Sequence, residues 1–146
     1  MKNYVDKLKV FQADQTVFYT KLHNLHWFVE GSSFFTLHAE FEKMYDEVTA
    51  VLDEVAERIL QLGGKPLPTL TAALELATIK ERDTAGGIGG RESVEIAVAD
   101  FKNLAAQAKE IVSLAAQAGD DGTADQFTGY LRGYEKLLWL LDAYLK

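Results

Sequence analysis

The chain has 146 residues, 48% of them hydrophobic and 25% charged, enough apolar material for the core of one domain spanning 1–146 and too little for two. Its net charge of −7 repels phosphate backbones and attracts cations, so nucleic acid is not the expected partner. With no cysteine there is no disulfide framework, zinc-thiolate site, iron-sulfur cluster or thiol nucleophile, and metal chemistry falls to His and carboxylates.

Only Pro66 and Pro68 interrupt the chain as prolines, which permits long helices and disfavours a turn-rich β-sandwich. A first helix is predicted from about Tyr4 to Val29, ending at Gly31, with Ser32 or Ser33 capping the next. From Phe34 onward, Leu37, Phe41, Met44, Val48, Val51, Val55, Ile59 and Leu62 fall at three-and-four spacing. They mark a second helix from about Ser33 to Leu62, stopped by Gly63-Gly64. The short connection predicts that these two helices run antiparallel.

Beyond Pro68, Thr69 to Lys80 is too short for a bundle-length helix and reads as a crossover carrying one small helix. A third long helix fits Glu92 to Ala118, closed by Gly119. A fourth fits Ala124 to Lys146, opened by Thr123-Ala124-Asp125-Gln126 as a capping box. Gly129 and Gly133 inside it predict close helix packing rather than a ligand role. Two helices, a long crossover with its short helix, and two more helices make an all-α, four-helix bundle of ferritin-like connectivity. No apolar run approaches the roughly 18 to 20 residues needed to span a bilayer, and Met1 to Gln15 carries charges where a signal peptide needs its apolar stretch, so a soluble, cytoplasmic protein is expected.

On the second helix, His38 with Glu42 and Asp53 with Glu57 form two i,i+4 pairs. At about 100° per residue from Leu37, these four fall between about 100° and 200°, while the apolar stripe stays within roughly 40° of zero. They therefore lie off the core, where a plain solvated face is the alternative use. The antiparallel turn can bring His26 close to His38, giving an imidazole and carboxylate set suited to iron, with zinc, cobalt or manganese as competitors. His38 and Asp53, however, stand roughly 22 Å apart along one helix axis. Either the clusters are unrelated, or a two-fold mate brings its own Asp53 and Glu57 opposite His38 and Glu42. Ala56 and Leu60 beside the acids suit such an interface.

His26-Trp27, Gly31, Phe34-Phe35-Thr36-Leu37-His38, Phe41-Glu42, Tyr45-Asp46-Glu47, Asp53 and Ala56-Glu57-Arg58, ending in Gly63-Gly64-Lys65-Pro66, resemble the Dps-like mini-ferritins, the family of DNA-binding proteins from starved cells. The ending Leu137-Leu138-Trp139-Leu140-Leu141 and the short crossover helix extend that resemblance over nearly the whole chain. The resemblance implies a hollow dodecamer that oxidises Fe(II) to Fe(III) at ferroxidase centres between subunits, with hydrogen peroxide or O2, and stores ferric oxyhydroxide against oxidative stress. His26, His38 and Glu42 would come from one subunit, Asp53 and Glu57 from its mate. Trp27 and Tyr45 would sit nearby, more for packing than for intercepting oxidising equivalents, and His23 stays outside the ligand set.

The resemblance also implies acid-lined iron pores near the start of the fourth helix, where Asp120 and Asp125 map; helix capping and loop solvation are the competing use of these acids. Many relatives coat DNA through mobile Lys/Arg-rich extensions. Here the first ten residues carry Lys2, Lys7 and Lys9 beside Asp6, and Lys146 ends the last helix, so DNA binding is not expected. The competing reading is a DNA-binding, nucleoid-protecting shell protein with secondary ferroxidase activity.

Overall fold

The computed structural model describes residues 3–146. Four long helices, α1 (Val5–Phe28), α2 (Phe34–Gln61), α4 (Gly90–Gln117) and α5 (Asp121–Leu145), surround a shared core, and the short α3 (Leu70–Leu76) lies in the crossover. The α1–α2 and α4–α5 pairs are each joined by a short turn and pack most extensively, while α1 also packs on α3 and α4. The apolar stripe of α2 is buried as its spacing requires, with Leu37, Phe41, Met44, Val48, Val55 and Ile59 all facing inward. Phe11 and Phe18 of α1 meet Phe127 of α5 and Phe101 of α4 edge-on, at centroid distances of 5.1 and 4.9 Å.

Both α2 and α4 end in the same device. Gly64 and Gly63 donate to the carbonyls of Ile59 and Leu60 at 2.9 and 3.0 Å, and Asp120 and Gly119 donate to Ala115 and Ala116 at 2.9 and 3.1 Å. This double bond needs a left-handed residue at its centre, supplied by Gly63 at φ +85° and Gly119 at φ +71°. Asp120 then begins α5 at once, its carboxylate accepting from the Thr123 backbone at 3.0 Å. The helix therefore opens three residues before the expected capping box, and Thr123 is a helical residue rather than the cap. Asp125 lies inside the helix and is exposed.

The small helix expected within the crossover is present as Leu70–Leu76, and α4 starts two residues before the expected Glu92, at Gly90. Val29–Glu30 and Ile88–Gly89 pair as two short parallel strands, tying the α1–α2 turn to the start of α4. Gly129 and Gly133 do not mark a close approach within this chain: a β-carbon at either would meet nothing within 4 Å.

The stretch of the crossover from Leu67 to Ile79 is held by two polar side chains of α1. Gln12 accepts from the Leu67 backbone N–H at 2.9 Å and donates to its carbonyl at 3.1 Å. The fully buried Asp14 accepts from Thr78 N and Oγ1, both at 2.6 Å, from Ile79 N at 2.8 Å and from Gln107 Nε2 at 2.7 Å. Four donors offset the cost of burying that carboxylate and fix where the loop crosses the bundle. Lys21 and Asp100 add a mostly buried ion pair at 2.7 Å between α1 and α4. No helix among the described residues is long and apolar enough to cross a membrane.

Candidate metal centre at the turn between the first two helices

His26 stands in the last turn of α1 and His38 in the second turn of α2, and the turn between them stacks the two imidazoles at 3.7 Å and 14°. Each ring is fixed by the other residue's backbone. His26 Nδ1 lies 2.6 Å from the His38 carbonyl oxygen, and His38 Nδ1 lies 2.8 Å from the His26 carbonyl oxygen. A carbonyl only accepts, so both Nδ1 atoms carry the proton, and each neutral imidazole keeps its lone pair on Nε2. Fixing the tautomer through the remote nitrogen is how protein metal sites orient imidazole ligands. The exchange also satisfies the His26 carbonyl, one of the four that the end of α1 leaves without a helical partner.

An aromatic wall surrounds the pair. Phe34 stacks on the outer face of His38 at 5.1 Å, and Tyr45 meets His26 edge-on at 5.3 Å. His23 bonds through Nδ1 to the Tyr19 carbonyl at 2.8 Å and stacks on Tyr45 at 3.7 Å, a contact that helix spacing alone does not reveal. Partial burial and the neighbouring Glu42, Asp46 and Tyr19 hold the Tyr45 phenol above its ordinary value, which keeps it protonated. Trp27 is 61% exposed at the edge of this wall.

Glu42 is exposed one turn beyond His38 on the same face of α2. Asp53 is exposed on the rim of a separate groove of about 460 Å³, formed with Gln12, Thr16, Ala56, Leu67 and Leu70 between α1, α2 and the crossover. Glu57 is exposed one turn further on. The structure thus brings His26 and His38 together, with Glu42 adjacent, and leaves Asp53 and Glu57 at the far part of the same helix. Among the described residues no three His, Asp or Glu side chains gather closely enough to hold a metal ion. Leu60, Leu70 and Leu74 are more than half exposed beside the Asp53 groove, an apolar surface of the kind that interfaces cover.

The two acids assigned to a pore differ from each other. Asp120 is engaged: it accepts from Arg58 Nη2 and from Thr123 Oγ1 at 2.8 and 2.7 Å and also from the Tyr4 hydroxyl. Burial alone would raise its carboxyl, but the bonds from Tyr4 and Thr123 and the Arg58 charge outweigh that and hold it well below the usual carboxylate range. Burial and the same carboxylate push Tyr4 up to about 12. Asp120 therefore joins the starts of α1 and α5 to the end of α2, whereas Asp125 is exposed and has neither a side-chain hydrogen bond nor an ion pair among the described residues.

The ferritin-like domain family matches residues 5–146. A protein of Brevibacillus brevis named DNA protection during starvation protein is 44% identical over 134 residues, covering 92% of this chain and 89% of that one. The chain belongs to the Dps group of ferritin-like proteins. The crystal structure of Dps from Staphylococcus aureus superposes with a TM-score of 0.93 at 41% identity, covering 100% of this chain and 97% of that one. A Dps protein from Vibrio cholerae O1, described as belonging to a broad superfamily of ferritin-like diiron-carboxylate proteins, superposes with a TM-score of 0.92 at 39% identity. That match covers 97% of this chain and 88% of the other.

Proposed function

We propose that this Dps protein is a ferroxidase and iron store whose centres form between two copies of the chain. The observation that carries the reading is the reciprocal His26–His38 exchange, which presents two Nε2 lone pairs with Glu42 one turn away, while among the described residues no three such side chains gather closely enough to complete a site. Asp53 and Glu57 of a two-fold mate would complete the donor set, since an isologous pairing of antiparallel α2 helices sets each end of one against the opposite end of the other. The exposed Leu60, Leu70 and Leu74 supply apolar area for that pairing. Borderline imidazole nitrogen and hard carboxylate oxygen together suit Fe(II) as substrate and tighten on Fe(III), with zinc, cobalt and manganese competing for the same donors.

In the reaction two Fe(II) each give one electron to hydrogen peroxide, its O–O bond breaks, and two protons complete two waters. Delivering both electrons together avoids release of a hydroxyl radical. The protein's part is to hold the irons in register through nitrogens whose tautomer and ring orientation the backbone has already set. Dioxygen is the alternative oxidant, and the ferric product is stored as oxyhydroxide inside a dodecameric shell in the cytoplasm. Asp125 remains the better candidate for a pore acid, because Asp120 would have to surrender Arg58, Tyr4 and Thr123 to meet a passing ion.

The relatives' names speak of DNA protection, and we assign that protection here to removal of Fe(II) and peroxide rather than to coating of DNA, given the net charge of −7. Native mass together with the iron retained after oxidative loading tests the whole reading. A twelve-subunit mass that keeps many irons per chain supports it; an oligomer that forms but neither oxidises nor retains iron refutes it.

A further inference from the structure

Six tyrosines are present, and two of them donate a side-chain hydrogen bond to a carboxylate, Tyr4 to Asp120 and Tyr130 to Glu54. The difference between these two carboxylates matters for redox chemistry, because a phenol loses an electron readily when its proton has an acceptor ready to take it. Asp120 is held as an anion by Arg58 and Thr123 and is a poor proton acceptor. Glu54 is exposed and forms no salt bridge among the described residues. It receives the Tyr130 hydroxyl at 2.6 Å, while Gln126 Nε2 donates to the same phenol oxygen at 2.8 Å. That amide bond remains favourable to the oxygen once the proton has left. The ring is held by Phe127 edge-on at 5.1 Å and by Phe11 stacked at 6.1 Å, so the phenol is fixed relative to both partners.

On α2, Glu54 lies about 100° from the apolar stripe on the side opposite to His38 and Glu42. The pair is therefore not part of the histidine centre. We propose that Tyr130 and Glu54 form a proton-coupled one-electron donor that quenches strongly oxidising radicals of the hydroxyl class. The iron-oxidising reading enters only as the source of that radical, from Fe(II) meeting peroxide outside the paired centre. The electron leaves the Tyr130 phenol and turns a hydroxyl radical into hydroxide, while the phenolic proton passes to Glu54. Hydroxide takes a proton from solvent and becomes water, leaving a neutral phenoxyl radical. A further Fe(II) then gives up one electron, Glu54 returns the proton, and the products are tyrosine and Fe(III). Burial and the Glu54 charge raise the Tyr130 phenol above its ordinary value, so the resting group is the protonated one this step requires.

The test is freeze-quench electron paramagnetic resonance on the assembled protein, with Tyr130→Phe and Glu54→Gln. Tyr130→Phe keeps the ring, and Glu54→Gln keeps a hydrogen-bond acceptor while removing the proton acceptor, so both are expected to fold. One arm mixes protein with Fe(II) and hydrogen peroxide; the other uses iron-free protein and a photogenerated ruthenium(III) oxidant. In both arms each substitution should lower the tyrosyl signal by roughly threefold or more, in keeping with loss of a positioned proton acceptor or of the donor itself. A signal in the iron-free arm that survives Tyr130→Phe, or is indifferent to Glu54→Gln, overturns the proposal. A Tyr130-dependent signal in the iron-free arm, with no Fe(II) oxidation in the other, upholds the donor and counts against the iron-oxidising reading alone.

Discussion

Substituting His38 by Ala removes one Nε2 from the turn between α1 and α2, and substituting Asp53 by Ala removes a carboxylate roughly 22 Å away on the same helix. If the centre lies between two-fold mates, each substitution alone strips one ligand from every centre. The side chains are half-buried and exposed, so neither change should unfold the bundle. When the two variants are unfolded together, mixed and refolded, random association makes about half of the pairs mixed. In a mixed pair one centre lacks both ligands and the other lacks neither, so roughly a quarter of all centres regain full ligation. Peroxide-dependent Fe(II) oxidation in the mixture should therefore rise to about a quarter of the unsubstituted rate, well above either variant alone. If mass spectrometry confirms subunit exchange and the rate stays at the level of the single variants, His38 and Asp53 do not meet across an interface, and the shared centre is wrong.

Asp14→Ala removes the acceptor for four donors, one of them the buried Ile79 N–H, and should cost roughly 2–4 kcal/mol in denaturant unfolding, with proteolysis appearing first in the crossover. Asp120 is held below its unfolded value, so its contribution is nearly complete above about pH 5 and is lost as pH falls from there through the folded value; Asp120→Asn should lower stability near neutral pH and flatten the acid side of the stability curve, measured by denaturant midpoints from about pH 7 to about pH 2. Asp125→Asn should slow Fe(II) oxidation at limiting iron in low salt and less so in high salt, where screening already weakens attraction; equal rates at low salt would remove it from the path of iron. No retardation of duplex DNA is expected at about 50 mM salt near neutral pH, and a gel shift at sub-micromolar, metal-free protein would overturn the assignment of protection to iron chemistry.

The bundle was legible because its signals are periodic. The α2 stripe from Leu37 to Ile59 and the paired glycines at 63 and 64 act through local geometry, and the structure follows them to within a residue. The start of α5 departs from its sequence pattern for an equally local reason. Thr123-Ala124-Asp125-Gln126 satisfies the capping pattern, but Asp120 also closes α4 through its own N–H, and no pattern of one helix reveals a residue serving two. The proximity of His26 and His38 followed from a short antiparallel turn, whereas the exchange of Nδ1 protons for backbone carbonyls depends on ring placement to a few tenths of an ångström. Asp14 gave no signal at all, since a lone acid on the apolar face of a helix reads as an irregularity until the loop that needs it is seen.

Each half of the proposed centre is braced by a different part of the chain. The histidine half depends on the turn after α1, and the Asp53 half sits beside a crossover that Gln12 and Asp14 tie to the middle of α1. A single copy holds the two halves of the proposed centre at distant parts of α2, so on this reading an unassembled chain is expected to bind Fe(II) weakly. By linkage, whatever iron gains from meeting both halves also stabilises the pairing that creates them. Oxidation on this reading is confined to assembled protein, where the ferric product has an interior to enter. On the same reading an isolated subunit, which has no interior to receive that product, is kept from making it by the distance along α2 between the two proposed halves.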